Sequence, residues 1–174
     1  MRHIQRFSLF LLVLPGLVLA EQSGADHRRL AASPGISAGQ SQQLSRDPDW
    51  RVRRALASNR HTPPPLLELL AHDNNVHVRI AVATNLSSRE STLLLLAQDQ
   101  STAVRSVVAR FEYVPVSALG LLARDANADI RLEVARNLNA SRQILRRLLH
   151  DSQPEVASAA AAAWQRQASD ADRN

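Results

Sequence analysis

Cysteine is absent from the 174-residue sequence, and so is lysine. Without cysteine there can be no disulfide, no thiolate nucleophile, no acylated lipoprotein cysteine and no cysteine-ligated cluster. Aromatic residues make up only 3% of the chain, although 45% of it is apolar. A core must therefore be built from Leu, Val and Ala, which favours thin, closely packed helices. Glycine occurs five times, too sparsely for a phosphate-cradling loop, and neither G-x-S-x-G nor H-E-x-x-H is present. The sequence thus offers no catalytic constellation, and an enzyme is not expected.

Positive charge is carried by 21 Arg against 16 acidic residues. Two of those Arg lie in the first twenty residues, where "MRHIQR" precedes the apolar run "FSLFLLVLPGLVL" and small residues around Ala20. This is the tripartite pattern of a secretory signal peptide over residues 1–20, with cleavage expected before Glu21 and a periplasmic or secreted destination. The run is shorter than the roughly 20 residues that span a bilayer, and no later segment is a transmembrane candidate. Removing Arg2 and Arg6 leaves 19 Arg against the same 16 acids. So small a surplus argues weakly for polyanion binding, and nucleic acid is disfavoured as a partner.

What the chain does contain is a phrase that returns. "DPDWRVRRALASN" begins at Asp47, "DNNVHVRIAVATN" at Asp73, "DQSTAVRSVVARF" at Asp99 and "DANADIRLEVARN" at Asp125, with a fifth Asp at 151, always 26 residues on. Val52, Val78, Val104, Ile130 and Val156 keep the interval, as do Arg53, Arg79, Arg105 and Arg131. So do Leu44, Leu70, Leu96, Leu122 and Leu148, and Asn59, Asn85 and Asn137, with Phe111 breaking the last series. Self-similarity at a fixed period of this size is the mark of stacked units.

Each unit resolves into two short helices. Asp49, Asn75, Ser101 and Asn127 precede the first and suit an N-cap; the Asn that follows it suits a left-handed C-terminal residue. The second helix starts near Pro63 or Ser88 and runs through "LLELLA" or its equivalents, with Pro63 and Pro115 in an early turn. Helices of roughly nine residues are unstable alone, so the units must shelter one another in a solenoid. The Asp at each turn is placed to accept from backbone N–H groups and from the Arg of its own or an adjacent unit, forming a ladder.

The phrase D-x-x-x-x-V-R-x-x-V-A-x-N, followed by Pro and L-x-x-L-A, resembles the bacterial leucine-rich repeat variant family and, more loosely, HEAT-type repeats, over about Leu44 to Ala163. The resemblance implies an all-α, right-handed solenoid in which the second helix of each unit is tighter and 3₁₀-like. The iron–sulfur cluster of the founding type needs cysteines that this chain lacks, so no cofactor is expected. Residues 21–43 read as a polar linker that becomes helical near Gln40, 44–167 as the solenoid, and 168–174 as a disordered tail. Trp164 is placed to cover the last layer.

Residues off the beat are free to meet a partner. Trp50, Arg51, Arg54, Arg60 and His61 form the richest cluster, although Trp50 also suits a cap over an open first layer. Arg110 and Arg136 share a slot, while Phe111 is expected to turn inward and Tyr113 outward. The histidines show no i, i+4 pairing and read as surface residues, with no metal site. Asn85 and Asn139 match the N-x-S/T pattern in turns, which is common by chance. The expected function is that of an exported scaffold or adaptor binding a protein or an anionic envelope polymer. A HEAT-like enzyme or cofactor-maturation factor, and a purely structural spacer, are the alternatives.

Overall fold

The computed structural model describes residues 24–171. Among them are eleven helices and no strand, arranged as consecutive pairs. The pairs are α1 (Gly24–Ala31) with α2 (Ala38–Leu44), α3 (Trp50–Ser58) with α4 (Pro64–Leu70), and α5 (Val76–Ala83) with α6 (Glu90–Leu96). There follow α7 (Thr102–Arg110) with α8 (Val116–Leu122), α9 (Ala128–Arg136) with α10 (Arg142–Leu148), and a final α11 (Pro154–Ala171). The first helices of successive pairs pack directly on one another in one layer, and the second helices form a looser layer beside it.

Local chemistry sets where each helix begins. Asp49, Asn75 and Asn127 accept from the N–H groups of Arg51, His77 and Asp129 at 2.9, 2.9 and 2.7 Å, satisfying donors that a helix start leaves free. Ser101 stands in the same place, but its hydroxyl makes no such bond. Pro63 and Pro115 immediately precede α4 and α8. The second helices are α-helical and not 3₁₀: the N–H of Ala71 donates to Leu67 and that of Ala123 to Leu119, four residues back, each at 2.8 Å.

The repeating apolar positions make one continuous core. Val52, Val78, Val104, Ile130 and Val156 are buried under the first helices, and Leu70, Leu96, Leu122 and Leu148 under the second. Ala57, Ala83, Ala109 and Ala135 are fully buried between adjacent first helices, where a methyl group lets two short helices approach closely.

Two polar seams flank this core. Along one, Arg53 donates through Nε and Nη2 to the carboxylate of Asp73 in the next unit, at 2.6 and 2.9 Å, while Nη1 donates to the backbone carbonyl of Asp47 in its own unit at 2.6 Å. Arg79–Asp99, Arg105–Asp125 and Arg131–Asp151 repeat the arrangement. The ladder therefore runs between units. Each carboxylate also accepts the N–H two residues on, as from Asn75 to Asp73. At the head of the seam His27 takes the place of Arg, its Nδ1 lying 2.6 Å from Asp47 Oδ2.

The second seam reaches backwards and corrects the expectation for Asn. No described non-glycine residue has a positive φ, and Asn59 and Asn137 are extended. Instead the carboxamide of Asn59 donates to the carbonyls of Ala31 and Ser33, that of Asn85 to Ala57 and Asn59, and that of Asn137 to Ala109 and Phe111. Phe111, in the same slot, supplies no such donor.

The N-terminal stretch read as a linker is a diverged unit from Gly24 onward. Ala31 and Leu44 occupy buried slots of the repeat, α1 packs on α3, and Ser37 with Gln40 forms a capping box at α2. At the other end α11 continues to Ala171, through four residues expected to be disordered. The expected signal peptide lies outside the described residues.

Two outcomes follow. Burial pushes the carboxyls of Asp73 and Asp125 up, but hydrogen bonds from Arg53 or Arg105 and from the backbone outweigh it, so both lie below the ordinary value; at Asp151 the bond from Arg131 dominates and lowers it. The unfolded chain then binds more protons. The stabilisation is complete above the ordinary carboxylate value of about 3.9 and is lost as pH falls through the lower folded values. The urea midpoint should drop as pH falls from about 5 towards 2, and the drop should shrink in Arg131→Gln. Separately, Asn85→Ala strands two backbone carbonyls and should cost about 1–3 kcal/mol in urea unfolding, against about 0.5 kcal/mol or less for exposed Ser58→Ala.

Candidate functional site

Because the seams and the core consume the residues on the beat, the outward positions of the first-helix layer carry what is left. Trp50 opens α3, half-buried against the core. Its ring stacks on His77 of the next unit, with centroids 5.2 Å apart and planes 29° from parallel, and the Arg51 guanidinium lies 5.0 Å from its centroid. Such cation–π geometry is attractive at an exposed site. Arg51 also lies 3.6 Å from the Asp49 carboxylate, which accepts from Arg28 of α1 at 3.1 Å. The Arg51 N–H holds the Asp49 carboxyl below its ordinary value, with partial burial opposing and the Arg51 and Arg28 charges assisting.

Trp50 is therefore not an end cap. The diverged unit formed by α1 and α2 lies before it, and α1 covers α3. Its ring is held between two units. At the C-terminal end Trp164 packs on the core with the Arg142 guanidinium 4.2 Å from its ring centroid.

Arg54 is exposed one turn along α3, and Arg60 and His61 are exposed in the turn beyond it. Arg110 and Arg136 end α7 and α9 in equivalent positions, both exposed. Tyr113 is 64% exposed, its ring edge-on to half-buried Phe111 at 5.9 Å. None of Arg54, Arg60, Arg110 or Arg136 forms an ion pair among the described residues. Trp50, Arg51 and Arg54 thus lie together on one helix, whereas Arg110, Tyr113 and Arg136 belong to the third and fourth 26-residue units. The structure joins these groups along a layer and not in one pocket.

Sequence reasoning passed over the second-helix layer. Leu69, Leu95 and Leu121 are exposed there at the 26-residue spacing, and Arg147 follows in the same slot. That replacement of Leu by Arg was the available signal. Asn85, by contrast, is buried with its carboxamide engaged, so it is no glycosylation acceptor in the folded protein. Among the described residues no group of three or more His, Asp or Glu side chains is placed to hold a metal, and no helix is long and apolar enough to cross a membrane.

Residues 50–74 match the family model described as leucine rich repeat variant. A solved structure described as a leucine-rich repeat variant with a novel repetitive protein structural motif superposes with a TM-score of 0.66 and 27% identity. One unit of this chain thus matches the leucine-rich repeat variant model, and its fold is similar to that of a leucine-rich repeat variant. The match covers 84% of this chain and 58% of that one. No curated protein matches the sequence. That fold is one of repeat scaffolds, and the units here carry both seams in side chains that any one unit shares with its neighbours.

Trp50→Ala should lower stability by about 1–2 kcal/mol, because a half-buried ring bridging two units is lost. Arg54→Ala, Arg60→Ala and Arg110→Ala should stay within about 0.5 kcal/mol. Urea unfolding of the four variants separates a structural Trp from surface Arg.

Proposed function

We propose that the protein is an exported, non-enzymatic scaffold of the cell envelope that binds a protein partner along its first-helix layer. The observation that carries this reading is the division of the Arg residues. Those on the beat are bound into the seam between units, whereas Arg54, Arg60, Arg110 and Arg136 stand exposed without a carboxylate partner among the described residues. Guanidinium groups kept free of internal pairs are suited to bidentate recognition of carboxylates on another surface. Export is supported by the charged start and apolar run of residues 1–20.

The tagged full chain expressed in a diderm bacterium should yield a mature species beginning at Glu21, read by mass spectrometry. From envelope extract it should capture a discrete protein at low salt and release it at high salt. Double substitution of Arg54 and Arg136 by Glu should abolish capture without altering the melting temperature. Capture of polysaccharide alone, or capture indifferent to both Arg, would refute the reading.

A further inference from the structure

The second-helix layer changes character at its C-terminal end. Leu69, Leu95 and Leu121 hold one slot of α4, α6 and α8, and in α10 that slot is Arg147. Arg124 lies just past the C-cap of α8, Ala123, and both guanidinium-bearing residues are exposed. Two open cavities meet at this pair. One, of about 330 Å³, lies between α8 and α10 and is lined by Val116, Gly120, Ile144, Arg124 and Arg147 with polar Ser117 and Gln143. The other, of about 480 Å³, is lined by Arg124, Arg147, His150 and Ser152 beside the Arg131–Asp151 pair. Both fall within the roughly 300–1,000 Å³ of ordinary ligand pockets.

The array supplies its own comparison. The cleft equivalent to the larger cavity recurs twice along the seam, but there the slot of Arg147 holds Leu69 or Leu95. Besides its seam Arg, the last of these three clefts is lined by two further Arg from successive units, where the first has Arg46 alone and the second has none. The carboxylates lining it, Asp125 and Asp151, are already taken by Arg105 and Arg131 and by backbone N–H groups. Arg124 and Arg147 have no ion pair among the described residues. The neighbouring floor is apolar, and Gly120 leaves it open: a Cβ built there meets nothing within 4 Å.

We propose that this groove docks an acidic protein segment carrying a bulky apolar side chain beside its carboxylates. The apolar side chain enters over Gly120 between Val116 and Ile144, and the carboxylates meet Arg124 and Arg147. Charge complementarity selects the acid. The apolar floor favours a peptide over a polyanion, which would use the charges alone. The inference deepens the scaffold reading and rests on it, by assigning a second surface and the chemistry of what it takes.

The test is fluorescence anisotropy of the full mature chain with a labelled peptide in which glutamates flank a leucine. Saturable binding is expected, weakened about ten-fold or more by Arg124→Gln or Arg147→Gln and unchanged by Arg54→Gln. Gly120→Leu fills the floor without touching charge; it should weaken binding equally while the melting temperature holds or rises. Equal binding of the leucine-to-serine peptide would overturn the proposal in favour of charge alone. Displacement by inorganic phosphate at equal charge would reduce the site to a small-anion site, and preference for phosphatidylglycerol vesicles would make it a membrane contact. Absence of saturable binding also overturns it. If that occurs while capture through Arg54 and Arg136 persists, the scaffold reading stands without this groove; if capture alone is lost, it is the scaffold reading that fails.

Discussion

The interaction on which the molecule depends is the grip of one Arg on two successive units. The guanidinium holds its own unit through a backbone carbonyl six residues back and the next through a carboxylate twenty residues ahead. These two spans together set the repeat length, which is why the interval never slips. The pairs are largely buried, with 7% exposure at each Asp side chain in them and 8–19% at the Arg. Desolvating such ions is costly, and a bidentate pair with its remaining oxygens hydrogen-bonded is the geometry that offsets the cost. The seam therefore fixes register and length more than it adds net stability, while burial of the Leu, Val and Ala slots supplies the driving force.

The parts of this fold legible in the sequence are those that every unit repeats. The core slots, the caps at Asp49, Asn75 and Asn127 and the Asp–Arg partnership all follow from residues that return in step. What was misread is informative in physical terms. Asn after a helix has two common uses, a left-handed cap or a side-chain amide bridging to distant carbonyls, and only the location of Ala31 and Ser33 beneath Asn59 decides between them. The unit before Asp47 escaped notice because its slots diverge: His27 for Arg, Asp26 for Val and Ser33 for Asn leave Ala31 and Leu44 as the main echoes. Missing that unit put Trp50 at an end of the array where it does not lie. The α-helical second helices depart from what family resemblance implied.

Candidate binding residues were legible only as exceptions to the rhythm. That criterion found Trp50, Arg54 and Arg110 on one layer but missed Arg124 and Arg147 on the other, since a Leu replaced by Arg matters only when the neighbouring unit brings a second Arg to the same cleft. Two faces result, one with dispersed cations along closely packed helices and one with a paired cation beside an apolar floor. A scaffold with separate faces can engage two surfaces at once, and its rigidity then sets the distance between them.

The seams also give the array a direction, since Arg reaches forward and Asn reaches back. A structure of that kind invites end-to-end polymerisation, because another copy offering an Asp at its leading edge would find the same hook. In α11 the forward hook is missing: Ala157 stands where Arg should be. The last described helix therefore presents no guanidinium in that slot to a further unit.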